Sequence, residues 1–214
     1  MADADIAAIE STGTYALFPT LVWESVLGAE TRQLINAPIL QHIVQLRQAL
    51  PLLGPGESWQ SGNQMQEQAA FKPLMAIIQE RAAGVLEFLK IGGEALEVTG
   101  CWVNVSARGA RHKLHSHPNN FLSGVYYVRT ASGADTINFH DPRVQAGIIR
   151  PPVGALTGEN ADQAVVQVKD GLFLLFPSWL QHSVDASQSD SHRISVSFNL
   201  MFSAYVQKMS KPLW

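Results

Sequence analysis

From Leu96 onward the chain breaks into short runs rich in Val, Ile, Phe and Tyr, separated by clusters of Gly, Pro, Asn and Asp. The runs are Leu96–Ser106, Ser123–Arg129, Thr136–His140, Ala164–Val168, Gly171–Phe176 and Arg193–Phe202, and no helical pattern separates them. Parallel strands need long, usually helical crossovers, so this spacing predicts an antiparallel barrel or a double-sheet jelly roll. The segment Asp141–Asn160, with Pro142, Gly147, Pro151, Pro152, Gly154 and Gly158, reads as a long connection of the kind that forms lids and binding loops.

The first part of the chain carries a different period. Ile39, Ile43, Leu46 and Leu50 follow helical steps, with Asn36 and Pro38 as start signals for a helix over Asn36–Leu50. A second helix is expected over Lys72–Leu89, where Leu74, Ile77, Ile78, Ala82, Val85 and Leu89 repeat the stripe. Pro73 suits its first turn and Gly92-Gly93 its stop. Residues 1–214 therefore read as one mainly β domain, with helical support over about 30–93 covering one sheet face and a jelly-roll core over about 95–203.

Composition narrows the function classes. With 46% hydrophobic and 15% charged residues the chain is globular, not disordered. Fifteen Lys and Arg against 18 Asp and Glu give a net charge of −3, which disfavours nucleic acid as a partner. The single cysteine, Cys101, cannot form an internal disulfide, and a reducing cytoplasm is the expected compartment. Its surroundings offer no base, so it reads as a small buried hydrophobe. The opening MADADIAAIESTG has neither the basic nor the apolar part of a secretory signal, and no apolar run approaches the roughly 20 residues of a membrane span.

Two patterns carry chemistry. In Arg111-His112-Lys113-Leu114-His115-Ser116-His117-Pro118, His115 and His117 are two apart and would share a strand face, whereas His112 is out of phase. Such a pair can offer two imidazoles to one metal, and His182, beyond the strand Gly171–Phe176, is placed to add a third. Three protein ligands with open positions mark a catalytic metal site, although a lone His-x-His is equally an ordinary histidine pair. In Arg193–Leu200, Arg193, Ser195, Ser197 and Asn199 alternate with Ile194, Val196, Phe198 and Leu200. The polar face suits a solvated strand or a barrel interior that grips a carboxylate through arginine and neighbouring hydroxyls.

Together with Leu17–Trp23, His115–Val128, Phe139–Arg143 and Phe176–His182, this strand resembles a bacterial and phage branch of the 2-oxoglutarate- and Fe(II)-dependent oxygenases. The resemblance runs from about Leu17 to Phe202. It implies a double-stranded β-helix, the cupin-like jelly roll, and an enzyme that hydroxylates a substrate while 2-oxoglutarate becomes succinate and carbon dioxide. It places Fe(II) on His115, His117 and His182, and the distal carboxylate of 2-oxoglutarate on Arg193 with Ser195 beside it. Tyr127, otherwise a core residue, matches a tyrosine that can add its hydroxyl, and Asn104 is a further cosubstrate candidate. His117 stands where most of the superfamily has Asp or Glu; Asp141 is the alternative ligand.

That departure keeps open a second reading, a three-histidine cupin-type metalloenzyme that does not use 2-oxoglutarate. A non-catalytic jelly-roll module is a third. The substrate expected is a small molecule or a peptide, and the resemblance implies a homodimer. Trp23, Trp59, Trp102, Trp179 and Trp214 read as packing residues, with Trp179 the one near a proposed ligand.

Overall fold

A computed structural model describes residues 11–208. The opening ten residues, read above as free of a secretory signal, and Trp214 lie outside the described residues. Ten strands form two antiparallel sheets: β1 (Trp23–Val26), β2 (Ser58–Gln60), β3 (Leu96–Ser106), β4 (His112–His115), β5 (Leu122–Arg129), β6 (Thr136–His140), β7 (Gln163–Gln167), β8 (Leu172–Pro177), β9 (His182–Val184) and β10 (Arg193–Phe202). One sheet has the order β1-β8-β5-β10-β3-β2 and the other β4-β9-β6-β7. This is the double-stranded β-helix arrangement, and all six sequence-read strands are present within a residue or so of their expected bounds.

Two helices, α1 (Ala29–Arg47) and α2 (Lys72–Phe88), pack on the outer face of the six-stranded sheet. α2 forms where its stripe and Pro73 predict, burying Leu74, Ile78, Ala82 and Val85. α1 starts seven residues before the expected Asn36 and buries Ile35, Ile39 and Ile43, so Pro38 lies inside it. A proline interior to a helix forfeits one backbone hydrogen bond, and here the three buried isoleucines on one face offset that loss. Leu46 and Leu50, assigned to the buried stripe from sequence, are solvent-exposed.

Strand alternation divides the interior into two cores. Tyr126 and Val128 of β5, with Ile194, Val196, Phe198 and Leu200 of β10, face the helices. Val125 and Tyr127 of β5 turn the other way, between the sheets, with Phe139, Leu174 and Phe176. Gly124 marks the tightest crossing: a Cβ there would lie 2.3 Å from the Phe198 ring and 2.6 Å from the Leu174 carbonyl oxygen. Among the described residues no helix is long and apolar enough to cross a membrane.

Candidate metal and cosubstrate site

Antiparallel pairing of β4 with β9 sets His115 directly opposite His182. His117 follows the end of β4, where its backbone N–H donates to the Ser178 carbonyl at 2.9 Å and ties the segment to the turn before β9. The outcome is a cluster in which His115, His117 and His182 bring ring nitrogens within 4.8 Å of one another. Their ring centroids lie 4.3 Å (His115–His182), 5.0 Å (His115–His117) and 5.2 Å (His117–His182) apart.

The donor chemistry fits a metal. Nδ1 of His115 donates to the Lys113 carbonyl at 2.7 Å, and Nδ1 of His182 to the Leu180 carbonyl at 3.0 Å. A carbonyl only accepts, so each Nδ1 carries the proton and each Nε2 keeps its lone pair, the tautomer a metal ligand needs. Burial holds His182 down to about 3, partly opposed by its bond to Leu180 and reinforced by the neighbouring histidines. Burial, with His115 adding, lowers His117 to about 4. Both rings are therefore neutral near pH 7 and able to ligate.

Asp141, the alternative ligand, does not join the cluster. Its carboxylate accepts from Arg143 at Nε (2.9 Å) and Nη2 (2.7 Å) and from the Arg143 backbone N–H, and these bonds hold it below the ordinary carboxylate range. It follows β6 and is committed to a local turn, whereas His117 is carried into the cluster by β4. His140 is likewise engaged elsewhere, its Nε2 2.9 Å from the Ser183 hydroxyl.

The three histidines open into a cavity of about 230 Å³ between the sheets. Its far wall is the polar face of β10, so the strand alternation read from sequence is that of a barrel interior: Arg193, Ser195 and Ser197 line the space. Arg193 is only 5% exposed. Its one hydrogen bond is a long one, from Nη1 to the Thr136 carbonyl at 3.4 Å, and no described carboxylate pairs with it. Desolvation lowers its pKa, which the adjoining Tyr127 partly opposes. Tyr127 lines the cavity at 1% exposure, and burial raises its phenol to about 12, keeping it a proton donor. Asn104 also faces the cavity and donates from Nδ2 to the Ser197 hydroxyl at 3.1 Å.

Three lining residues escape a sequence reading. Trp102, assigned above to packing, sits beside the cluster with its ring centroid 5.8 Å from that of His117. The signal was available, because Trp102 is two residues from Asn104 and shares its strand face. Trp179, by contrast, is 55% exposed and outside the cavity. Gln60 enters through pairing of β2 with β3, where it lies opposite Asn104, and nothing local marks it. His112 lines the cavity because a register shift between His112 and His115 cancels the expected alternation.

Residues 100–199, a little under half of the chain, match the model of a family described as "Putative 2OG-Fe(II) oxygenase". No curated protein sequence matches. The fold is shared with HygX from Streptomyces hygroscopicus, solved with nickel and 2-oxoglutarate bound, at 13% identity over 86% of this chain and 82% of that chain, with a TM-score of 0.59. A Pseudomonas putida prolyl-4-hydroxylase is similar at 15% identity, covering 85% and 92%, with a TM-score of 0.57. A prolyl hydroxylase from Trichoplax adhaerens, complexed with a hypoxia inducible factor oxygen degradation domain peptide, gives 12% identity, 89% and 87% coverage and a TM-score of 0.60. At these identities the likeness is one of fold.

Proposed function

We propose that the chain is an Fe(II)- and 2-oxoglutarate-dependent dioxygenase, of the bacterial and phage type its motifs resemble, hydroxylating a small molecule or a peptide in the cytoplasm. One observation carries the reading: a buried arginine with no acid partner among the described residues faces the same small cavity as three convergent imidazoles. A buried cation left unpaired is costly unless an anion arrives, and a dicarboxylic cosubstrate bridging metal and guanidinium supplies that anion.

His115, His117 and His182 are the metal ligands in this reading, and Asp141 is spent on Arg143. Arg193 holds the distal carboxylate through its planar fork, with the Ser195 hydroxyl and the Tyr127 phenol as further donors and Asn104 ordering Ser197 beside them. Fe(II), when bound, supplies the redox chemistry that couples dioxygen and decarboxylation of 2-oxoglutarate to hydroxylation of the substrate. The protein's own part is to orient the donors and keep the cavity dry, with Phe176 and Ile137 as its apolar walls. Trp102 and Gln60 line the cavity on the substrate side of this reading, and the Asp141–Asn160 connection, whose Val144, Ile148, Ile149 and Leu156 side chains are exposed, is the loop assigned to substrate selection. Helices and sheet share one core, which favours a single folding unit.

The test is to add 2-oxoglutarate to the Fe(II)-loaded protein under anaerobic conditions and record the weak visible charge-transfer band of a chelated 2-oxo acid. A band in the wild type that fades in Arg193→Ala is expected. Fe(II) binding without a band would favour the second reading, a three-histidine metalloenzyme independent of 2-oxoglutarate, which the imidazole at position 117 keeps in play.

A further inference from the structure

Among the described residues His112 is the one cavity-lining histidine outside the metal cluster, and its Nε2 is buried with no hydrogen-bond partner among them. A buried polar atom left unmade costs stability, so an orphan on a side chain that lines a cavity points to a guest that completes it. Along β9, His115 pairs with His182 while His112 pairs with Val184, two residues further on. That offset is about 7 Å at strand rise, the reach of a five-carbon diacid extending away from the metal ligands.

Arg193 lies in the same direction. β6 runs antiparallel to β9 with Phe139 opposite His182 and Asn138 opposite Ser183, and the Arg193 guanidinium bonds to Thr136, beyond Asn138. Consistently, the charge of Arg193 acts on His112 more strongly than that of His115 does, and burial keeps the ring neutral. A carboxylate offers about four lone-pair sites, of which an arginine fork takes two. The other two are open to the neutral donors that line the same end of the cavity, His112 beside the Ser195 and Tyr127 hydroxyls.

We infer that His112 is a cosubstrate-binding residue whose Nε2–H donates to the distal carboxylate of 2-oxoglutarate alongside Arg193. The inference rests on the function proposed above and assigns a donor to the same site. A neutral imidazole supplies one N–H there and satisfies its own orphan nitrogen in doing so.

The experiment measures two affinities separately on Mn(II), which replaces Fe(II) without redox turnover: metal binding, and 2-oxoglutarate binding to the metal-loaded protein. In His112→Phe, which fills the space without a donor, 2-oxoglutarate affinity should fall roughly 10- to 100-fold, the loss of one hydrogen bond to a charged group, while Mn(II) affinity is unchanged. His112→Gln, which restores an N–H, should recover most of it. A wild-type protein labelled with 15N-histidine and loaded with Zn(II) gives a readout free of folding effects. Adding 2-oxoglutarate should bring out an exchange-protected proton on the His112 Nε2. Undiminished 2-oxoglutarate binding in His112→Phe, or no such proton on a complex that forms, would overturn the inference alone. Failure of the Mn(II)-loaded wild type to bind 2-oxoglutarate would overturn the proposed function and the inference with it.

Discussion

Replacing Arg193 by Met separates the structural from the functional meaning of a buried arginine. The guanidinium is withdrawn from water, makes one long hydrogen bond and has no carboxylate partner among the described residues. Even well-paired buried charges are often replaced by apolar groups of like volume with a gain of about 1–4 kcal/mol, and an unpaired one has less to lose. The ligand-free Arg193→Met protein should therefore be more stable than wild type by about that amount, a melting rise of roughly 2–4 °C per kcal/mol for a chain of this size. Cosubstrate binding should move the opposite way. Removing one partner of a desolvated charge pair costs about 3–5 kcal/mol, so the 2-oxoglutarate dissociation constant should rise at least about 100-fold. Denaturant titrations with Mn(II), with and without 2-oxoglutarate, read both effects. At 100 times its dissociation constant the ligand should stabilise the wild type by about 2.7 kcal/mol and the variant almost not at all. A ligand-free variant destabilised by several kcal/mol that still binds 2-oxoglutarate normally would refute the reasoning and make Arg193 a structural ion.

Three further outcomes are expected. His117→Asp should retain Fe(II), because it restores a carboxylate beside two histidines, whereas His117→Ala should lose much of its affinity; equal retention in both would remove His117 from the ligand set. Gly124→Ala should destabilise the fold by roughly 1–3 kcal/mol or more, since its methyl group meets Phe198 and the Leu174 carbonyl, and a neutral effect in a denaturation curve would show that the crossing has slack. The ligand-free protein should lose stability as pH falls. His182, His117 and His112 have folded values pushed by burial to about 3, 4 and 4, below the ordinary 6.5, so under pH 6.5 the unfolded chain binds more protons. Each contributes up to about 1.4 kcal/mol per pH unit between its unfolded and folded values, and a flat stability profile from pH 6.5 to 4.5 would contradict the burial of these rings.

The alternation in Arg193–Leu200 was the most informative stretch of the sequence, because one strand separates the outer apolar core from the cavity wall and the structure uses both faces. The histidine pair was found through a period of two, although the strand ends at His115 and His117 is held in the cluster by its backbone bond to Ser178. What stayed hidden depends on pairing between distant segments. Gln60 reaches the cavity only because β2 docks on β3, and His112 only because the β4–β9 ladder slips between His112 and His115. Trp102 was readable from its step of two to Asn104, and its bulk argued for packing instead. The early start of α1 was masked by Pro38, a start signal by its chemistry that the buried isoleucines around it overrule.

In the proposed function three imidazoles and one arginine bracket a metal-bound dicarboxylate. Diffraction at the iron edge from crystals grown anaerobically with Fe(II) and 2-oxoglutarate would locate both groups. The expected result is a single anomalous peak at about 2.1 Å from His115, His117 and His182, a distance typical of metal–imidazole bonds, with the diacid's density running from that peak to the Arg193 guanidinium. A peak held by Asp141 in place of His117, or iron bound with Arg193 facing no anion, would contradict it.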